Sequence, residues 1–365
     1  MQLGQAFAGN PSVGSAIIAN LSEMRRAIFV ADAWRSFFII LIGFVLLLAY
    51  KYKKLKAVPM TIAIAALCLI DMFGVNKRYL NDNNFVEEQS NEQSFVKTAA
   101  DEMILQDKSL DYRVLNLARN TFNENETAYY HKSIGGYHPA KLGRYQDLIN
   151  NCIVSEIQNI SKEVGAAHKS ISEINFAKVS PVLNMLNCKY FIFSVGNGQE
   201  AAFPNAAAYG NAWFVNQIQF VASPNEELQA LKQIDPRTVA IADKQFQNVL
   251  AGKSDQVTDS LSTVKLVKYE ANELHYETNS STGGIVVFSE IYYPGWKATI
   301  DGKPLALGRA DYVLRAAYIP AGKHQIVMEF RPTSVKATET VAYVALCLLV
   351  LGFIYAMVRA YRSKK

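Results

Sequence analysis

Lys51-Tyr-Lys-Lys-Leu-Lys56 decides how the rest of the chain is disposed. Its four lysines separate two long apolar runs. Ser36 to Tyr50 (SFFIILIGFVLLLAY) carries no charge, and Ala57 to Val75 (AVPMTIAIAALCLIDMFGV) carries one, Asp71. A third run, Val341 to Val358 (VAYVALCLLVLGFIYAMV), is followed by Arg359, Arg362, Lys364 and Lys365. A hydrocarbon core about 30 Å thick takes roughly 20 apolar residues as helix, about 17 at the low end, because a helix satisfies its own backbone there. The second and third runs meet that length. The first does so if Ala33 and Trp34 enter the core and Arg35 snorkels to the interface.

Short loops rich in Lys and Arg stay in the cytoplasm, which orients all three spans. The expected order is an extracytoplasmic or interfacial segment over 1–35, a transmembrane helix over 36–50, a cytoplasmic loop over 51–56 and a second helix over 57–75. An extracytoplasmic domain follows, then a third transmembrane helix over 337–358 and a cytoplasmic tail over 359–365. Lys77-Arg78 opposes this orientation, but it is two charges against four and leads into a long domain that counts little. Apolar residues make up 50% of the chain and mean hydropathy is +0.04, an average over a water-soluble domain and three spans. Much of the positive charge behind the net +5 flanks the spans. It marks topology and anionic headgroups, so membrane lipids are the expected partners and nucleic acid is not. Oligomeric state is not legible.

Residues 1–35 lack the basic n-region and continuous apolar h-region of a signal peptide. Ile17, Leu21, Met24 and Ile28 share a face, which suits either a helix on the outer membrane surface or one packed on a soluble domain. An N-terminus placed outside without an export signal leads to the expectation that Met1 is not the natural start and that further spans precede it. Asp71, an ionisable group inside a span, is either a functional group or one that reaches the interface towards Lys77 or Arg78. Lys77 and Arg78 fall at the outer headgroup level. They suit a lipid phosphate, which Arg78 would grip with a bidentate fork, or serve as snorkelling anchors.

Residues 76–255 read as an α/β lobe. Phe95 to Leu105 suits a helix, Tyr112 to Leu117 a strand, and Pro139 the first position of a helix whose buried face is Leu142, Tyr145, Leu148/Ile149 and Cys152. Ser180-Pro181 starts a short helix, Lys189 to Ser194 is a buried strand, and Ala212 to Val221 is another. Ser223-Pro-Asn-Glu-Glu227 caps a helix, and Thr238 to Ile241 returns as a strand. The loop Asn120 to His138 is polar and aromatic, and Tyr129, Tyr130, His131, Tyr137 and His138 suit sugar hydroxyls and ring faces, or pack upon themselves. His131 and His138 have no third ligand at metal spacing, so no metal is expected. Cys152 and Cys188 are either buried thiols or a bridge.

From 256 to 334 short alternating strands take over: Val264–Glu270, Glu273–Thr278, Ile285–Ser289, Trp296–Ile300, Tyr312–Tyr318 and His324–Phe330. Asp301-Gly302 is a two-residue hairpin signal and Pro320-Ala-Gly322 a second turn. Six such strands predict a β-sandwich, joined through Arg331-Pro332 to the third span. Tyr292, Tyr293 and Trp296 cluster at one strand end, either as a sugar-stacking platform or as core. The fold class is thus a membrane protein of α+β type.

Tyr292-Tyr-Pro-Gly-Trp-Lys-Ala-Thr-Ile-Asp-Gly-Lys303, with Arg309-Ala310 and Ile319-Pro-Ala-Gly-Lys-His324, resembles the C-terminal part of the YfhO-type bacterial membrane proteins. Asn76-Lys-Arg-Tyr-Leu-Asn-Asp82, Ser133-Ile-Gly-Gly-Tyr-His-Pro-Ala-Lys-Leu142 and Gly210-Asn-Ala-Trp-Phe-Val215 are similar to the same family. The resemblance implies a large polytopic protein of the bacterial cytoplasmic membrane. It further implies a polyprenyl-phosphate-dependent glycosyltransferase of the GT-C type, whose catalytic acid belongs to an early extracytoplasmic loop. No catalytic residue carries over to this chain.

No G-x-S-x-G, H-E-x-x-H or P-loop is present, and no cofactor is expected. Gly196-Asn-Gly198 reads as a lone turn. Glu87-Glu88 and Glu226-Glu227 are expected to face solvent. The expectation for function is an outer domain that binds or positions a glycan acceptor or a polyprenyl-phosphate-linked sugar, with Lys77 and Arg78 at the lipid phosphate and the Tyr129–His138 loop and Trp296 at the sugar. A non-catalytic anchored glycan-binding or scaffold module of the cell envelope is the competing reading.

Overall fold

No proline interrupts residues 12–51, and in a computed structural model they form one unbroken helix, α1 (Pro11–Lys51). The structure describes residues 11–85, 87, 95–166, 171–196, 198–250 and 261–362. Residues 1–10, Glu88, Asn197, the 255/256 boundary, Lys364 and Lys365 lie outside the described residues. At 1.5 Å per residue α1 is roughly 60 Å long, about twice a hydrocarbon core. Ile17 to Ile28 thus lie on the same unbroken helix as the first long apolar run. Lys53 takes φ +58° where the chain reverses, and α2 (Ala57–Tyr79) returns, with Pro59 in its first turn, where no helical donor is lost. Two compact units follow from the contacts, Met1–Gln93 and Ser94–Lys365.

In the second unit, α3 (Ala99–Ile104) is opened by a capping box in which Thr98 and Asp101 exchange hydrogen bonds. β1 (Arg113–Asn116) and α4 (Glu126–Tyr130) follow. The helix expected at Pro139 begins later, as α5 (Gly143–Leu148), because His138 holds the preceding turn: its Nδ1 accepts from Ala140 N at 3.1 Å. Leu142, the residue before α5, is exposed, whereas Leu148, Ile149 and Cys152 are buried as expected. A π-helical turn, Ile149–Ile153, leads into α6 (Val154–Ala166). Beyond α7 (Phe176–Val179) and α8 (Pro181–Met185), β2 (Cys188–Gly196) lies between parallel β1 and antiparallel β3 (Gln199–Pro204). Cys152 and Cys188 are unpaired, and burial raises the Cys152 thiol to about 11.

The single strand expected from Ala212 to Val221 is two, β4 (Ala212–Val215) and β5 (Gln217–Val221). At the break Asn216 N donates to Thr238 O at 2.8 Å, and the chain passes from one sheet to another. After α9 (Pro224–Leu231), whose cap is Ser223 as expected, β6 (Val239–Asp243) pairs in parallel with β5 and α10 (Gln247–Leu250) closes the segment.

Eight further strands precede the last helix: β7 (Thr263–Glu270), β8 (Glu273–Ser280), β9 (Gly284–Ile291), β10 (Trp296–Ile300), β11 (Lys303–Leu305), β12 (Gly308–Ala310), β13 (Leu314–Ile319) and β14 (Gly322–Phe330). They form one sheet of order β11-β10-β14-β8-β7 and another of order β12-β13-β9-β4. Asp301 and Gly302 make the β10–β11 turn, with φ +49° and +76°. β13 begins at Leu314, later than the expected Tyr312, because Asp311 (φ +48°) and Tyr312 (φ +69°) belong to the β12–β13 turn.

The four-stranded sheet is buried on both faces, which explains the unbroken Ile285-Val-Val-Phe288 run. Val286, Phe288, Ala317 and Ile319 meet Leu274, Tyr276, Ile326 and Met328 of the five-stranded sheet. Ile285, Val287, Leu314 and Ala316 join Phe191, Trp213 and the helices of the preceding segment. α11 (Thr333–Arg362) leaves after β14; it, α1 and α2 are each long and apolar enough to cross a membrane.

Candidate functional site

The turn Tyr292-Tyr-Pro-Gly-Trp296 joins β9 to β10 and is fastened to the root of α11. Gly295 has φ +106°, and a side chain there would meet Phe330 and Pro332 at 3.0 Å, so the close approach requires glycine. Arg331 N donates to Gly295 O at 2.9 Å. The rings of Trp296 and Tyr293 lie 5.4 and 6.1 Å from that of Phe330. A cleft of about 420 Å³ opens beside this turn, lined by Tyr292, Tyr293, Trp296, Lys297, Leu305 and Arg315 among others.

Arg315, on β13, forms the floor. It is 3% exposed, and its guanidinium carbon lies 3.8 Å from the centre of the Trp296 ring. Nε donates to Ile291 O at 3.1 Å, and Nη1 points at Met328 Sδ, 3.8 Å away. Among the described residues no carboxylate comes within ion-pair distance: Glu290 is taken by Arg113 Nη2 at 3.2 Å. Burial lowers the pKa of Arg315, and nearby Glu290 works against that. Even so, a guanidinium stays charged. A buried cation ordinarily carries a partner ion. Here the compensation is the Trp296 face, worth about 2 kcal/mol when desolvated. The charged residues lining the cleft, Lys297 and Arg315, are both cationic.

A second cleft, of about 270 Å³, lies on the other side of the β9 end, where Ile291 lines it as Tyr292 lines the first. Gly135, Gly136, His138, Lys141 and Tyr145 contribute to it. Tyr145 Oη donates to Ile134 O at 2.8 Å, and Gly136 N to Thr121 O at 2.6 Å, which pins the glycine pair. Arg113 also lines this cleft, but its guanidinium is engaged by Leu186 O, Ser289 and Glu290.

The expected sugar-facing residues do not converge. Tyr129 is exposed and stacks on Phe95 at 4.5 Å, and Tyr130 Oη donates to Phe95 O. Tyr130 lines a third, small cleft with Asp101 and Arg119. His131 is buried against Asp101, Nε2 to Oδ1 2.8 Å, which leaves it inside the protein. Tyr137 is exposed, His138 belongs to the second cleft and Trp296 to the first.

In the α1–α2 hairpin Asp71 meets Arg35, not Lys77 or Arg78, at 3.5 Å. Arg78 Nη1 instead takes Asp32 Oδ1 at 2.6 Å, and Lys77 reaches Asp82 at 4.0 Å.

Arg315 and Glu227 are among the buried charged groups that sequence reasoning missed. Arg315 interrupts an apolar strand, VLRAAYI, which was the available signal. Glu227, expected in solvent, is 0% exposed, with Arg144 Nη1 and Arg309 Nη2 each 3.5 Å from Oε2 and Tyr312 N donating to Oε1 at 3.1 Å. Its side of α9 faces the β12–β13 turn, a long-range meeting that no local pattern encodes.

Residues 181–342 match the family model described as bacterial membrane protein YfhO. The YfhO match takes in both large sheets, the whole Tyr292–Trp296 turn, Arg315 and the start of α11. The resembling runs at 210–215 and 292–303 fall inside it, and those at 76–82 and 133–142 outside. Neither the curated proteins nor the solved structures gave a match to the chain.

Proposed function

We propose that the chain is the C-terminal part of a polytopic, glycosyltransferase-like protein of the bacterial cytoplasmic membrane. In this reading its α/β lobe and β-sandwich lie outside the cytoplasm and bind or position a glycan acceptor or a polyprenyl-phosphate-linked sugar. The observation that carries it is the aromatic, cationic cleft at the root of α11. Thr333 to Thr340 precede the apolar run at Val341, so by helical rise the cleft stands roughly 12 Å from the bilayer edge. That height suits a sugar headgroup on a membrane lipid. Trp296 then faces the sugar, with the Tyr129–His138 loop as a further contact surface. Of the two lipid-phosphate candidates, Lys77 makes only a loose 4.0 Å contact with exposed Asp82, whereas Arg78 is held by Asp32 at 2.6 Å. No catalytic step is assigned to residues of this chain.

The test is binding of a polyprenyl-phosphate sugar to the full protein in lipid nanodiscs. Trp296→Ala is expected to weaken binding about tenfold through loss of an aromatic face, and Lys77→Ala to weaken it less. Unchanged binding by Trp296→Ala would remove the site. Transfer activity that survives deletion of residues 94–330, with insertion intact, would favour a scaffold role instead.

A further inference from the structure

Arg315 gives the cleft a charge that a neutral sugar would not use. Its guanidinium is buried, has no carboxylate partner among the described residues, and lies on the floor of a cavity whose other lining ion is Lys297. The acid that acts on it, Glu290, is paired with Arg113, and Asp111, which also acts on Arg113, is paired with Lys132, so the cluster Arg113, Lys132, Arg315, Asp111 and Glu290 keeps one positive charge in excess. A protein that needed only an aromatic platform could place an aliphatic residue beneath Trp296 and avoid the cost of burying that charge. Tyr292, Tyr293 and Trp296 offer ring faces for a pyranose, whereas Arg315 and Lys297 offer donors to oxygens that carry negative charge.

Resting on the glycan-binding reading above, we propose that this cleft selects a saccharide bearing an acidic group, a carboxylate or a phosphate on the sugar. The acid accepts from Arg315 at the floor and from Lys297 at the rim, and the aromatic turn covers the ring. An acidic ligand supplies the counter-ion that the fold leaves out, so binding also stabilises the β13–β10 contact.

The experiment uses the full protein in nanodiscs of neutral lipid and follows tryptophan fluorescence with four probes: a galacturonic acid oligosaccharide, the matched neutral galactose oligosaccharide, a sugar 1-phosphate, and inorganic phosphate. The expected result is binding of an acidic saccharide about tenfold tighter than the neutral one, from a hydrogen bond to a charged group. Arg315→Lys should reduce that ratio and Arg315→Met abolish it. Lys297→Gln, at an exposed position, should lower the ratio about twofold without touching the core, and serves if the Arg315 variants do not fold. The carboxylate and phosphate probes identify which acid is preferred. Equal binding of neutral and acidic saccharides, unaltered by Lys297→Gln, overturns the acid selection and leaves the glycan reading standing. Binding of no saccharide overturns both. Inorganic phosphate competing as well as the sugar phosphate overturns the saccharide part and leaves a bare anion site.

Discussion

Arg35 of α1 and Asp71 of α2 face each other across the hairpin, with Nη1 3.5 Å from Oδ1. By helical rise both lie roughly 22 to 24 Å from the Lys51–Lys56 turn, within a hydrocarbon core of about 30 Å. One layer further from the lysine turn, Arg78 takes Asp32 at 2.6 Å, and Asp32 also approaches Arg35 at 3.8 Å. Two acids and two bases thus form a neutral ladder that ties the helices in one register. Removing one rung partner strands an ion towards the edge of an apolar span, at a cost below the roughly 2.5–3.5 kcal/mol of the bilayer centre. Arg35→Gln and Asp71→Asn should each lower the thermal unfolding temperature in detergent, and the double variant should recover most of the loss. If the double variant is as unstable as the sum of the singles, the pair does not couple the helices.

Asp311 should make the stability of the sheet-rich second unit fall as pH rises. It is 0% exposed; Oδ1 accepts from Ile241 N at 2.9 Å, and Oδ2 has no hydrogen-bond partner among the described residues. Burial pushes its pKa from 3.8 to about 8, with neighbouring Glu227 adding to the rise and the Ile241 N–H opposing it. Between those values the folded state holds the proton and the unfolded state has lost it. The stability contribution therefore falls as pH rises from about 4 to about 8 and then levels. Asp311→Asn keeps an acceptor for Ile241 and tolerates the positive φ, so its unfolding temperature should vary less over that window. An unaltered pH profile in the variant would assign the slope to other groups.

What was readable in the sequence was what a local pattern carries. The lysine turn divided two runs whose length sets their place, Asp301-Gly302 could only turn, and Ser223 ahead of Pro224 capped a helix by its own side chain. The rest depended on partners far along the chain. Arg315 alternates correctly for its strand, but nothing near it shows that Trp296 will cover it. The Tyr312 side chain reads as strand, yet Tyr312 N serves Glu227 and its backbone completes a turn. Ala212 to Val221 reads as one apolar-rich run broken only by Asn216, Gln217 and Gln219, and the Asn216 bond to Thr238 shows that two sheets share it. The loop aromatics were legible as residue types, but not in their distribution over separate clefts.

Gly135 tests the second cleft. A side chain there would run into the backbone carbonyl of Thr121, the acceptor that already holds Gly136 N. Gly135→Ala must displace one side of the loop, at a cost of about 1–3 kcal/mol by analogy with overpacked cores. The expected result is a lower unfolding temperature and faster proteolysis within 120–138. Gly143→Ala, where an added carbon meets nothing within 4 Å, is the control and should leave both unchanged. Equal behaviour of the two variants would show that the loop is not pinned at Gly135.

Glu227 is the strongest single test of how the sheet-rich second unit holds together. It reaches from α9 to Arg309 on β12, to the backbone of Tyr312 and to Arg144 on α5, while Tyr312 Oη donates to Asp147 on the same helix at 3.1 Å. Burial raises the pKa of Glu227, and the two arginines oppose that rise. Deleting one member of a buried ion group leaves the others uncompensated, at about 3–5 kcal/mol. Glu227→Ala should therefore unfold the domain at markedly lower temperature or denaturant. Glu227→Gln should cost less, because it keeps the acceptor for Tyr312 N. Replacing both ions by Glu227→Met with Arg309→Met should restore much of the stability, since an apolar pair pays no desolvation cost. If the double replacement is no better than Glu227→Ala alone, the strained turn at Asp311 and Tyr312 needs the carboxylate itself, and the contact with Tyr312 N outweighs the ion pair.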